Sequence, residues 1–194
     1  VLSIDLAGSR ALVTGAGQGV GRQTAITLAE AGATVLVNDR IAERCEQVAA
    51  QITALGLAAE PRAFDVARYG AIEAAISAAG GVDVLVNNAG NAGAGTLQLK
   101  TVAEELPAEL ETFSKVNLDG VMLCTRAVLP GMIERRGGRI ITIISDAARL
   151  GEPRLAANAA AEAGAAGFLR SVASEVGRYG ITTNCISIGT MPRP

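Results

Sequence analysis

Short runs that are apolar on both faces constrain this chain most. Val84-Leu-Val86 and Ile140-Ile-Thr-Ile-Ile144 leave no side for water. Such strands belong in a parallel sheet covered by helices on both sides. Strands are predicted over Arg10–Thr14, Thr34–Asn38, Ala58–Phe64, Asp83–Asn87, Arg139–Ile144 and Ile181–Ile188. Ala-rich amphipathic stretches separate them: Gly21–Ala31, Ile41–Leu55, Arg68–Ala79, Ala108–Arg135 and Leu155–Tyr179. Strict alternation with right-handed crossovers gives an α/β, doubly wound, mostly parallel Rossmann-like sheet. A ligand then lies at the carboxyl ends of the strands. At 194 residues and 49% hydrophobic, residues 1–194 suit a single domain with one continuous fold.

The first strand runs into Thr14-Gly15-Ala-Gly17-Gln-Gly19-Val-Gly21 and a helix. Glycines there permit a tight turn and close backbone approach, and the helix N-terminus offers N–H groups and a positive dipole end to a pyrophosphate. Gly15, Gln18, Gly19, Val20 and Gly21 are therefore cofactor-binding candidates. Asp39 ends the second strand 18 residues after Gly21. A carboxylate there can accept from an adenosine ribose diol and repels a 2′-phosphate, which favours NAD over NADP. Arg40 and Arg22 temper that preference, since either can pair with a phosphate. Asp65 and Val66, after the third strand, are expected at the adenine. Asn88, Ala89 and Gly90, after the fourth, are expected along the cofactor, with the Asn amides pinning neighbouring strands.

Absences exclude whole classes of chemistry. The chain has no His, so it has neither a His metal site nor a His-dependent mechanism. No metal centre is expected. Only Lys100 and Lys115 are lysines, and only Tyr69 and Tyr179 are tyrosines. Net charge is −2 with no long charged run, which argues against nucleic acid or a membrane surface as partner. No uninterrupted apolar stretch approaches the length of a membrane span, and Val1–Leu6 lacks the pattern of a signal peptide. Cys45, Cys124 and Cys185 are odd in number and widely spaced, as expected of buried reduced thiols in a cytoplasmic protein.

Together these residues resemble the short-chain dehydrogenase/reductase family. The markers are the Thr14–Gly21 turn, Asp65, Asn87-Asn88-Ala89-Gly90, Val116-Asn117-Leu118 with Gly120, Ser145, and Asn184-Cys-Ile-Ser-Ile-Gly189-Thr190. The resemblance implies a Rossmann-like fold, assembly into oligomers, and interconversion of alcohols and ketones with NAD(P)(H). It implies Asn117 and Ser145 as active-site residues and Gly189 beside the cofactor. The segment from Ser145 to Pro153 looks most like members acting on secondary alcohols or hydroxyacyl thioesters.

The departures are as informative. The resemblance places a Tyr at 158 and a Lys at 162, where this chain has Asn158 and Glu162. Hydride transfer to a ketone leaves an alkoxide that needs a proton. A phenol beside an ammonium supplies one, because the cation lowers the phenol's pKa. An Asn amide is no useful acid near neutral pH, and a carboxylate at 162 has the opposite effect of an ammonium. Asp146 and Glu152 lie near Ser145 as other possible acids or bases. Ile188 stands where the family has Pro, and the chain stops at Pro194, earlier than a typical member, so a substrate-covering segment is in question.

Three functions remain open: a silent NAD(H)-binding subunit of an active relative, a divergent dehydrogenase acting on a small-molecule alcohol or carbonyl, and an NAD(H)-sensing regulator. The small residues of Ala156–Gly167 fit a close helix contact, either within the chain or in a homo- or hetero-oligomer.

Overall fold

The computed structural model describes residues 4–90 and 100–189. Six strands form one parallel sheet: β1 (Arg10–Val13), β2 (Thr34–Asp39), β3 (Ala59–Ala63), β4 (Val84–Asn87), β5 (Gly138–Ser145) and β6 (Ile181–Ile188). Their order is β3-β2-β1-β4-β5-β6. The sequence of strand addition reverses between β1 and β4, which stay parallel, and Leu12 pairs with Leu85 across that seam. There the two flanking connections leave on opposite sides of the sheet and open a crevice at the strand carboxyl ends.

Alternation along the strands divides the core in two. Ala11, Val13, Val35, Val37, Val84 and Val86 face α1 (Gly19–Glu30) and α2 (Ala42–Ala54). Leu12, Leu36, Leu85 and Ile140 face the other way, into a core with α3 (Tyr69–Ala78), α5 (Gly120–Arg135) and α7 (Ala156–Val176). Both faces are thus covered, as the doubly apolar strands require.

The long helix predicted over 108–135 is interrupted. Residues Pro107–Ser114 form α4, Lys115–Asp119 form one π turn, and α5 follows. The Gly120 N–H reaches back five residues to the Lys115 carbonyl. The widened turn accommodates an extra residue without breaking the helix, which hydropathy periodicity cannot reveal. Asn117 sits at its centre and is buried. A short helix missed in the sequence, α6 (Ala147–Leu150), turns the chain directly after β5.

By length and composition the run Pro107–Arg135 is apolar enough to cross a membrane. Its hydropathy has an internal account: Val121, Cys124, Val128 and Met132 are core residues. Cys45 and Cys124 are buried as expected, and burial pushes the Cys124 thiol up to about 12. Cys185 corrects the expectation: it is exposed, because β6 is the outermost strand.

Candidate active site

The turn after β1 is held from the β4 side. Thr14 Oγ1 accepts the N–H groups of Asn88 and Ala89, each at 3.0 Å, and donates to the Val86 carbonyl at 3.3 Å. Asn88 Nδ2 donates to the Thr14 and Gly15 carbonyls at 2.9 and 3.2 Å. Gly15 has φ +63°, and a Cβ there would lie 2.8 Å from Ala89 Cα. Only glycine permits both that conformation and that approach. Asn87 pins the opposite side, its Nδ2 donating to Thr142 Oγ1 at 3.1 Å. Thr14 is the organising residue the sequence did not single out. Its signal is its place at the end of a strand, where a hydroxyl can serve two neighbouring N–H groups.

The α1 N-terminus is open to an anion. The N-cap Gln18 makes no side-chain capping bond, and the first turn carries no acidic residue. Gly19 has φ +56°, and a Cβ there would meet nothing within 4 Å. A helix N-terminus leaves its first N–H groups without intrahelical partners, and one with no side-chain cap suits a pyrophosphate. Val20 is partly exposed beside this opening, whereas Gly21 is buried against the Gly15 carbonyl and Asn88 Nδ2.

Asp39 is the next element of the crevice. It is 8% exposed, and its Oδ1 accepts the Ile41 N–H at 3.0 Å. A Cβ on Gly17 would sit 2.5 Å from Asp39 Oδ2, so glycine makes room for that carboxylate beside the turn. The Asp39 N–H donates to Cys45 Sγ at 3.0 Å, which fixes the backbone that presents the carboxylate. Sequence reasoning missed Cys45, whose spacing marks only a core position on α2. Arg40 is exposed, whereas Arg22 is engaged twice with Gln51 Oε1, at 2.6 and 3.0 Å. Asp65 Oδ1 accepts the Ala67 N–H at 2.9 Å, closing a turn. Val66 points inward: it is 7% exposed and lies against Gly120. Only its backbone remains for an adenine. Gly90 is exposed and faces Asn117, whose Oδ1 would lie 3.7 Å from a Cβ at 90. Gly189 is exposed near Asp146 Oδ2. Thr190 and Val1–Ser3 lie outside the described residues.

The residues at 117, 145, 158 and 162 come together in one cluster of two hydrogen-bonded pairs. Asn117 Nδ2 donates to Asn158 Oδ1 at 2.8 Å, with both residues buried. The Asn158 amide lies beside the Glu162 carboxyl, and Glu162 Oε2 accepts the Ser145 backbone N–H at 2.6 Å. Burial raises the Glu162 carboxyl above its ordinary value, opposed by those two groups. Ser145 Oγ accepts the Ala147 N–H at 3.1 Å, and no acceptor among the described residues takes its proton. The Ser145 hydroxyl therefore keeps a donor for a carbonyl oxygen.

Other acids and cations are committed elsewhere. Ser187 Oγ donates to Asp146 Oδ1, and Arg149 approaches the same oxygen at 3.8 Å. Glu152 is exposed. Lys100 pairs with Glu109 at 2.5 Å and Lys115 with Glu111 at 2.6 Å, both on α4. Tyr69 donates to Glu73 and lies under the Arg126 guanidinium, and Tyr179 lies near Arg136 and Arg178. No group of three or more metal-ligating side chains occurs among the described residues.

Comparison with known proteins agrees with this architecture. The short chain dehydrogenase family profile matches residues 9–192. The chain is 38% identical over 188 residues to (2S)-[(R)-hydroxy(phenyl)methyl]succinyl-CoA dehydrogenase subunit BbsD of Thauera aromatica, covering 95% of this chain and 73% of that protein. The gluconate 5-dehydrogenase from Burkholderia cenocepacia, solved in complex with NADP and tartrate, superposes with a TM-score of 0.90 at 36% identity, over 96% of this chain and 73% of that one. A 3-oxoacyl-[acyl-carrier protein] reductase from Brucella melitensis with bound NAD gives 0.90 at 33% identity, over 96% and 73%. These structures hold NADP in one case and NAD in the other, so the fold serves both dinucleotides. The chain belongs to the short chain dehydrogenase family of oxidoreductases.

Proposed function

We propose that this chain binds NAD(H) at the β1–β4 crevice. By itself it performs alcohol–ketone redox chemistry weakly or not at all. It then serves as the silent subunit of an assembly with an active relative. The observation that carries this reading is the cluster Asn117–Asn158 and Glu162–Ser145. Where the family resemblance places a phenol and an ammonium, a carboxamide bonds to Asn117 and a carboxylate bonds to the strand end. Asn158 is no proton donor near neutral pH, and loss of general acid–base catalysis typically costs about 10²–10⁴-fold. Neither lysine replaces the ammonium, since both are paired on α4.

The parts that hold a dinucleotide remain. The uncapped α1 N-terminus suits the pyrophosphate, and Asp39 suits a ribose diol better than a 2′-phosphate, which favours NAD over NADP. Bound there, the cofactor would supply or accept the hydride. This chain's own residues would bind it and offer the Ser145 hydroxyl to a carbonyl. One relative is by name a subunit of its dehydrogenase, a precedent for a chain of this kind working within an assembly. The outer side of α7 supports an oligomer, since Ala156, Ala160 and Ala163 are small and exposed. The three unpaired thiols favour the cytoplasm.

The second reading, a divergent dehydrogenase, is favoured by Glu162 itself, because burial raises its carboxyl towards the range of a working acid. Two experiments separate the readings. Purification from the native host should bring down a homologous chain with Tyr and Lys at the positions of 158 and 162. The isolated chain should turn over a panel of simple ketones with NADH at well under ~1 s⁻¹. Ordinary rates from the isolated chain would decide for the divergent enzyme. Dinucleotide binding with neither a partner nor turnover would decide for a sensor.

A further inference from the structure

We infer that Glu162 makes the nicotinamide half of this site select oxidised NAD⁺ over NADH. The inference rests on the reading above that the chain binds NAD(H), and concerns which oxidation state it takes.

A dinucleotide in a doubly wound sheet lies across the reversal point, with one nucleotide over each half. Asp39 ends β2 and marks the adenosine half. The other nucleotide therefore falls on the β4–β5 side, where Ser145 ends β5. Glu162 is bonded to that strand end through the Ser145 N–H at 2.6 Å. The Ser145 N–H donates to its carboxyl and the Asn158 amide lies beside it. Burial, the larger influence, raises the carboxyl and these two groups oppose it, so the ionised form that the inference needs gains as pH rises. No Lys or Arg of the described residues forms an ion pair with it. Among the described residues, Asp146 also lies at this corner, loosely met by Arg149 at 3.8 Å. When Glu162 is ionised, no such ion pair offsets its charge at the Ser145 backbone.

NAD⁺ and NADH differ at the nicotinamide ring, which is cationic when oxidised and neutral when reduced. A half-buried carboxylate attracts the first and is indifferent to the second. At an effective dielectric of about 20, a ring cation bound within about 10 Å of the carboxylate would change affinity roughly tenfold or more. A lysine at 162 would act in the opposite sense. A chain with little turnover of its own would then be occupied according to the oxidation state of the nicotinamide pool.

The test is titration calorimetry of the full chain with NAD⁺, NADH and ADP-ribose, for the wild type, Glu162→Gln and Glu162→Lys. The wild type should bind NAD⁺ roughly tenfold more tightly than NADH. Glu162→Gln should bring the two affinities together, and Glu162→Lys should reverse their order. ADP-ribose, which lacks the ring, should change less than about twofold in either variant, a result that general damage to the fold would not give. Equal wild-type affinities for NAD⁺ and NADH overturn the inference even if neither variant folds. A wild-type preference unmoved in both folded variants overturns it as well. If ADP-ribose binds while NAD⁺ and NADH bind equally, this inference alone fails. If none of the three binds, the assignment as an NAD(H)-binding chain fails with it.

Discussion

Glu162 Oε2 accepts the backbone N–H of Ser145 at 2.6 Å, joining the middle of α7 to the end of β5. The contact commits the one ionisable group of the helix face to the chain's own backbone. It also places a half-buried carboxylate where the family resemblance expects a cation.

Reintroducing the proton-transfer pair should restore chemistry. Asn158→Tyr with Glu162→Lys is expected to raise NADH-dependent ketone reduction by at least ~10²-fold over the parent chain. Either change alone should do far less, because a lone Tyr would face Glu162 and a lone Lys would have no phenol to act on. Steady-state assays on substrates accepted by relatives check this. A folded, NADH-binding double variant with no gain would move the defect from proton transfer to substrate positioning.

Asp39 should set the dinucleotide preference. Its carboxylate lies beside Gly17, with Oδ1 held by the Ile41 N–H. The wild type is expected to bind NAD(H) more tightly than NADP(H). Asp39→Ala should narrow the gap roughly tenfold, the scale of one charge-assisted hydrogen bond. Paired calorimetric titrations measure both. An unchanged ratio would shift attention to Arg40.

The Glu162 carboxyl should leave a signature in stability. Burial raises its folded-state pKa above the ordinary 4.5, so the folded chain binds this proton more tightly than the unfolded chain. Folding therefore gains as pH falls through the folded pKa towards 4.5 and loses as pH rises through it. The melting temperature of the wild type, relative to Glu162→Gln, should rise as pH falls from neutral towards the ordinary 4.5. A flat difference across that window would show a carboxyl titrating as it does in water.

Asn88 should matter to both stability and binding. Its amide donates to two carbonyls of the glycine turn, at 2.9 and 3.2 Å. Asn88→Ala leaves both acceptors short of a partner and should cost about 1–3 kcal/mol in denaturant unfolding. NADH affinity should fall as well, since the turn loses its side-chain tie to the β4 end and keeps only those through Thr14. A variant with parental stability would mean that water replaces the amide.

Most of the fold was legible in the chain. Val84-Leu-Val86 and Ile140–Ile144 have no polar face, and that alone demands a sheet buried on both sides. The glycine turn and Asp39 were readable because backbone conformation and strand-end position are local properties. The i, i+4 spacing of Asn158 and Glu162 likewise put them on one helix face. Tertiary structure alone decided what those two residues do. Asn117 is 41 positions from Asn158, and Ser145 is 17 from Glu162. Nothing local tells a carboxylate whether it faces solvent, a lysine or a backbone N–H. The π turn that seats Asn117 and the inward packing of Val66 on Gly120 were equally hidden. Each depends on how distant segments fill the same space, and periodicity along one segment carries no record of that.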